Sequence, residues 1–404
     1  MDVAVVLDHR FFSTPDGRVW TDGPFAYSFF SRYLSEFDSV RVVVRVQDVR
    51  ELSSSWVRAG GDGVSFVAVP YYVGPYQYLG KAVRVASSIR EALLGAQAVI
   101  LRVPSQLGLL AARELRRQRR SFGAEVVGDP YDAYAPGATH HWARALFRAH
   151  HVRALKRICS QAACVAYVTA EALQQRYPPN AKAFSTNYSS VELTEEAFTE
   201  TAQEKGLRNL ISVGSMEHLY KGQDTLLEAL ARSPGLRLTL VGDGSYRPSL
   251  ERLAKRLGVA DRVRLTGSLP GGRAIREELD RADLFVLPSR QEGVPRAMIE
   301  AMARGLPCLG STVGGIPELL SQEQLVPPDD PTALAAKLRE ISTAPSGVRS
   351  TIAARNLAVA RNYHASALGP RRDQFYRYVA VAALASSRHS RSASSNRSTS
   401  ATVL

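Results

Sequence analysis

Short apolar runs separated by longer mixed segments recur along the whole chain. In the first half they read VAVVL (3–7), VRVVVRV (40–46), FVAVPYY (66–72), AVILRV (98–103), AEVVGD (124–129) and CVAYVT (164–169). These runs are continuous and rich in valine, the pattern of parallel strands covered on both faces. The segments between several of them, such as LGLLAARELRRQRR (107–120), suit helices. The second half repeats the theme with LISVG (210–214), LRLTLVGDG (236–244), RVRLTG (262–267), DLFVLPS (283–289) and PCLGS (307–311). Its helices are expected near 223–232, 247–257, 273–281 and 295–304. The alternation predicts an α/β protein of two Rossmann-like, doubly wound domains in tandem.

The domain boundary is expected between YPPNAKAFST (177–186) and LRNLISVG (207–214), across the polar, acid-rich TEEAFTETAQEK. We therefore expect a first domain over 1–190 and a second over 191–360. The Ser-rich end, 385–404, has too little apolar content to bury and is expected to be disordered.

Composition adds bounds. A chain of 404 residues exceeds one ordinary core. Three cysteines (Cys159, Cys164, Cys308) make no disulfide framework and lack metal-ligand spacing, which fits a reducing, cytoplasmic setting. The opening MDVAVVLDHR reads as a strand instead of a secretion signal, and no run of 18 apolar residues offers a membrane span. The net charge of +13 concerns partners, not fold. Much of it lies in RELRRQRR (113–120) and in residues 133–170, which carry no acid and include His141, Arg144, His150, His151, Arg153, Lys156 and Arg157. Two readings stay open: a solvated basic helix face, or a surface that rests on anionic lipid. No nucleic-acid recognition motif accompanies the charge.

The candidate chemistry sits at strand-to-helix turns. RQEGVPRAMIEAMARG (290–305) follows the strand DLFVLPS and opens a helix with Pro295 at its start. Glu292 is thus expected in a loop at the carboxyl end of a strand, where open α/β sheets bind ligands. Gly293 brings bare backbone there, a helix N-terminus favours an anion, and Glu300 follows about one and a half turns on. Attraction of Glu292 to the helix dipole is the plainer alternative. SVGSMEHLYKGQDTLLEAL (212–230) places Lys221 and Gly222 at a second such turn, where the lysine either reaches phosphate oxygens or is simply solvent-exposed. LVGDGSYRPSLERLA (240–254) is a third. Three glycine-bearing turns in one domain point to a nucleotide or another phosphorylated ligand.

On these residues the chain resembles the family 4 retaining glycosyltransferases, most strongly over 208–330. Glu292 and Glu300, with seven residues between them, look like that family's paired glutamates, and VGDG, RVRLTG and ADLFVLPS occur in its order. The resemblance implies the GT-B architecture, with two Rossmann-like domains facing a central cleft. It implies a metal-independent, hexosyltransferase-type enzyme that moves a sugar from a nucleotide-sugar donor to a glycan or lipid-linked acceptor, in polysaccharide or glycolipid biosynthesis. No cofactor is expected, the nucleotide-sugar being a substrate, and no Asp-x-Asp pair is present to hold a metal. It further implies that Glu292 contacts donor-sugar hydroxyls, that Gly214, Ser215, Gly293, Val294 and Pro295 line the donor site, and that Glu300 accepts hydrogen bonds from the ribose. Lys221 would neutralise the leaving diphosphate, and backbone near Thr266 to Leu269 would border the base.

One position departs: the family's usual arginine six residues before the lysine is Ser215, and Arg290 is a candidate substitute. In the first domain, Gly23 in HRFFSTPDGRVWTDGPFAYSFFSRYL (9–34) occupies the place of the family's glycine-rich loop, or is a plain surface turn. Asp129 ends the strand AEVVGD and either orients substrate, with Asp132 in the same loop, or caps the turn before Pro130. Residues 361–384 resemble terminal helices that cross back onto the first domain, with Tyr376 and Tyr378 as packing residues, and hinge motion is expected around 186–207. A nucleotide-sugar-binding homologue without turnover, and another GT-B enzyme such as an epimerase or phosphorylase, are the alternatives.

Overall fold

A computed structural model describes residues 1–53, 56–134, 143–199 and 207–399. The first sheet contains β1 (Asp2–Ser13), β2 (Val19–Thr21), β3 (Ser39–Asp48), β4 (Val57–Arg58), β5 (Val64–Pro70), β6 (Ala98–Val103), β7 (Gly123–Val126), β8 (Cys164–Tyr167) and β9 (Phe184–Asn187). Its parallel part runs β5-β3-β1-β6-β7-β8-β9. The second sheet contains β10 (Asn209–Val213), β11 (Arg237–Val241), β12 (Val263–Gly267), β13 (Leu284–Leu287), β14 (Cys308–Ser311) and β15 (Leu325–Val326). It is parallel throughout, in the order β12-β11-β10-β13-β14-β15.

Both sheets are buried on both faces, which explains the unbroken valine runs. Strand β1 gives Ala4 and Val6 to one core, with Val85, Leu107 and Leu155, and Val3, Val5 and Leu7 to the other, with Phe30 and Tyr376. In the second sheet Ile211 faces the helix Arg296–Ala303, while Leu210 faces the helix Gln223–Ala231. Val191, Leu193 and Phe198 already belong to the second domain's core.

The strand order reverses direction once in each sheet, between β1 and β6 and between β10 and β13. At such a switch point the connections leave toward opposite faces and open a crevice at the strands' carboxyl ends. Strand β1 is also irregular, its register against β3 shifting between Val6 and Arg10. That bulge bends the strand where Asp8 and His9 lie.

Two expectations need correction. The segment 9–34 is not one loop, because β1 continues to Ser13 and Val19–Thr21 pairs back onto it as an antiparallel strand. Aromatic and β-branched residues there favour extended backbone despite the intervening turn. The Ser-rich end does not start a disordered tail at 385, since the helix Ala365–Thr399 runs on through it. Its packed first part, with Tyr376 stacked on Tyr33 at 4.6 Å and Tyr378 on Phe184 at 3.9 Å, nucleates the helix, so further turns add without a new nucleus. His140 and His141, expected on the basic helix, lie outside the described residues, as do 200–206 of the expected hinge; the helix itself spans Arg144–Gln161.

Candidate active site

The switch point of the second sheet assembles most of the residues singled out in the sequence. Gly214 and Ser215 leave β10, Ser289 and Glu292 leave β13, and Lys221 lies in a short 3₁₀ turn between β10 and its helix. Gly222 then takes φ +71°, a left-handed conformation cheap only for glycine, and a Cβ there would stand 2.1 Å from the Pro288 carbonyl oxygen. This close approach seats Lys221 beside the β13 loop. Its Nζ donates to Glu292 Oε1 at 2.7 Å, and Ser289 Oγ donates to the same oxygen at 2.7 Å. Glu292 is only 7% exposed. A buried carboxylate with one ammonium partner and one hydroxyl is an arrangement that an incoming polar ligand can rearrange.

Arg290 does not take the place of the arginine missing at position 215. Its guanidinium forks onto Asp224 at 2.8 and 2.9 Å and also reaches Asp329 and the Leu219 carbonyl. With its own N–H donated to Tyr220 O at 2.7 Å, Arg290 clamps the lysine turn to the β13 loop. Ser215 is occupied locally, its Oγ accepting from the Glu217 N–H at 3.2 Å. The cation that meets Glu292 is therefore Lys221.

Glu300 projects from the second turn of the helix Arg296–Ala303. Burial raises its carboxyl above the usual glutamate range, opposed by Arg296 and Arg276. Val294 and Pro295 lead into that helix, with Pro295 buried at its cap.

The first domain meets this site from across the cleft. A Cβ on Gly293 would stand 3.0 Å from the Val127 carbonyl oxygen, a tight contact that the bare glycine relieves where the two loops approach. Glu318 accepts from the backbone N–H groups of Ala170, Glu171 and Ala172 at 2.5–3.1 Å, binding one domain to the other. Asp129 proves to be the cap. It is 3% exposed and accepts from Tyr131 N at 2.8 Å, from the Tyr177 hydroxyl and from Arg176. With its oxygens taken by structural donors, the substrate-orienting role expected for it is not supported by the geometry. Asp132 beside it has its carboxyl pushed up, by burial first and then by Asp129.

Gly23 follows β2, with its N–H donated to Thr21 Oγ1 at 3.0 Å, and a Cβ there would lie 2.9 Å from the imidazole of His9. His9 was not anticipated. It bonds Thr21 Oγ1 at 3.1 Å and packs edge-on against Phe11 and Phe25, and burial holds its pKa below the usual histidine value. Asp8 was also missed. It pairs with Arg45 at 2.7 Å and accepts from the Gln106 N–H at 3.0 Å, at the switch point of the first sheet. The available signal was a charged pair, Asp8-His9, where an otherwise apolar strand reaches its carboxyl end.

Among the described residues no helix is long and apolar enough to cross a membrane.

Comparison with known proteins agrees with this geometry. Residues 208–343 match the family model described as Glycosyl transferases group 1. Protein CapJ of Staphylococcus aureus is 27% identical over 312 residues, 76% of this chain and 78% of that protein. Other curated relatives match over about a third of their length or less. Among solved structures, sucrose-phosphate synthase from Thermosynechococcus elongatus superposes with a TM-score of 0.71 at 20% identity, covering 94% of this chain and 99% of that one. HepE of Anabaena, solved in complex with UDP-glucose, superposes with a TM-score of 0.65 at 16% identity, covering 94% and 100%. Over residues 208–343 the chain is thus similar to that family, and as a whole it adopts the GT-B fold of these structures.

Proposed function

We propose that the protein is a retaining glycosyltransferase that moves a hexosyl group from a nucleotide-sugar to a glycan or lipid-linked acceptor, in polysaccharide or glycolipid biosynthesis. The observation that carries this reading is the buried Lys221–Glu292 pair at the switch point of the group 1 domain. Binding of a donor would separate the pair: Lys221 turns to the diphosphate and Glu292 to the sugar hydroxyls. Charge gathering on the leaving diphosphate would then meet a fixed ammonium in a site with little water, where such an interaction is strongest. Glu300 would hold the ribose, with the backbone of Gly214, Gly293, Val294 and Pro295 around the donor. The complex of the structural neighbour HepE with UDP-glucose supports a nucleotide-sugar donor. The reading needs neither metal nor cofactor, since Lys221 supplies the positive charge.

The test is to incubate the protein with UDP-, GDP-, ADP- and TDP-sugars and candidate acceptors and to follow the anomeric proton by NMR. Transfer with retained configuration is expected. Inverted product would overturn the retaining mechanism; phosphorolysis or donor epimerisation would favour another GT-B enzyme, and donor binding without turnover an inactive homologue.

The reading extends to a cytoplasmic protein at an anionic membrane surface. Tyr76, Leu79 and Val83 are 86%, 70% and 85% exposed and lie on one face of the helix Gly74–Leu94. The basic helix Arg144–Gln161 supplies charge in the same domain. Sedimentation with phosphatidylglycerol vesicles is expected to exceed that with neutral vesicles and to fall with salt. Equal binding to both would contradict it.

A further inference from the structure

Glu318 belongs to the second domain, yet its carboxylate is spent on the first. It lies in the short helix Ile316–Leu319, directly after Gly314 and Gly315. Its two oxygens accept the backbone N–H groups of Ala170, Glu171 and Ala172, which lead into the first-domain helix Ala172–Arg176. The N–H groups at the start of a helix have no partner within it, so an outside acceptor satisfies them without displacing an internal bond. Because the acceptor is ionised, each bond is roughly twice as strong as a neutral one.

This contact sits at the end of a packed layer that covers Glu292. A Cβ on Gly314 would stand 2.1 Å from the Glu292 carbonyl oxygen, and one on Gly315 would stand 2.7 Å from the Gly293 carbonyl oxygen and 3.1 Å from Thr169 Cγ2. The Gly315 N–H donates to Gly293 O at 2.7 Å. The layer therefore runs from Glu292 through Gly293, Gly314 and Gly315 to Thr169, the residue before the three N–H groups that Glu318 holds. Val127 and Val168 close it from the first domain, and the Asp132 carboxylate meets the backbone of Gly314. Glu292 and Ser289 are buried beneath it. A sugar reaches Glu292 only when this layer parts.

The chain also supplies a pivot. It crosses between the domains near Leu193 and again near His364, where the Leu193 N–H donates to Tyr363 O at 3.0 Å and the Ala365 N–H to Leu193 O at 2.9 Å. Tyr363 packs against both domain cores. The domains thus stay joined there when the Glu318 bonds break.

Resting on the glycosyltransferase reading above, we propose that Glu318 is a positioning residue that latches the two domains over the donor site, and that its three hydrogen bonds break each time a donor enters or a nucleotide leaves. Glu318 acts through Gly315 and Gly293, not on the sugar. Since the same bonds break on the way in and on the way out, weakening them speeds both passages and leaves their ratio nearly unchanged.

The test compares the full chain with Glu318→Gln, which is isosteric, keeps one acceptor oxygen and turns an amide NH₂ toward the backbone donors. Glu318 is partly exposed, so the variant should fold, and a cooperative melt checks this. Surface plasmon resonance with UDP, GDP, ADP and TDP reads association and dissociation rates separately. For the nucleotide that binds, both rates are expected to rise roughly tenfold, about the worth of one hydrogen bond to a charged group, with affinity nearly unchanged. Small-angle scattering should give the variant a larger radius of gyration than the parent. Unchanged rates would overturn the proposal. Faster dissociation alone would make Glu318 a donor contact and overturn it too, as would scattering identical to the parent's. If no nucleotide binds the parent, the donor reading falls, while the scattering comparison still decides the latch.

Discussion

The two switch points of this molecule share an address and differ in chemistry. In the second domain the crevice holds a lysine, two glutamates and bare glycine backbone, and its central carboxylate has one ammonium and one hydroxyl as partners. In the first domain it holds aromatic rings and Asp8, and the acid beside it, Asp129, is engaged by Arg176, Tyr177 and the Tyr131 N–H. The comparison teaches that position at a strand end does not make an acid functional. What matters is whether its partners can be exchanged for a ligand. In the proposed reading Glu292, held by one ammonium and one hydroxyl, meets that condition, and Asp129, held by three structural donors, does not.

Substitutions can break this contrast. The largest effect is expected from Lys221→Ala, which should lower the rate of transfer by roughly 10²–10³, the scale on which single charge-stabilising donors act. Steady-state kinetics with the best donor would check it; a loss below threefold would remove Lys221 from the machinery. Next comes Asp129→Asn, which strips a structural carboxylate from three donors. It should destabilise the fold by roughly 2–3 kcal/mol in urea titrations, while the folded fraction keeps its affinity for nucleotide. A large drop in turnover without loss of stability would restore Asp129 as a reacting group. Glu292→Gln should show the reverse balance, with activity lost and stability changed less.

A smaller effect sharpens the picture. Glu300→Gln tests the ribose contact and carries a pH signature. Because burial raises the folded-state pKa of Glu300 above the ordinary value of 4.5, the fold loses stability as pH rises from that value through the raised one. The glutamine variant should thus melt higher than the parent at pH 7, with the difference vanishing below 4.5, while its nucleotide affinity falls. A variant that melts lower at pH 7 would mean that the charged carboxylate stabilises the unliganded fold.

The contrast also explains what was legible in the sequence. AVILRV matched β6 to the residue, and the second domain's strands and helices fell within a few residues of expectation, because parallel strands covered on both faces write themselves as unbroken apolar runs. Lys221 and Glu292 were legible because each follows such a run at a glycine-bearing turn. Their contact was not, since it depends on Gly222 fitting against Pro288 and on the Arg290 clamp, which spans 66 positions to Asp224. Strands β2, β4, β9 and β15 escaped because strands of two to four residues carry too little period. The aromatic crevice of the first domain was invisible for a related reason. Tyr72, Tyr78, Tyr134 and Phe147 look like core residues in the sequence, and only the strand order brings them around one crevice.

The central claim is that the exchangeable Lys221–Glu292 pair is the donor site. Calorimetric titration with UDP, GDP, ADP and TDP, in parallel on the parent chain and Lys221→Ala, tests it most directly. The account predicts that one nucleotide binds preferentially and that the variant loses at least tenfold in affinity for it. Failure of all four to bind, or equal binding by the variant, would contradict the claim and leave the pair as an ordinary buried ion pair of the scaffold.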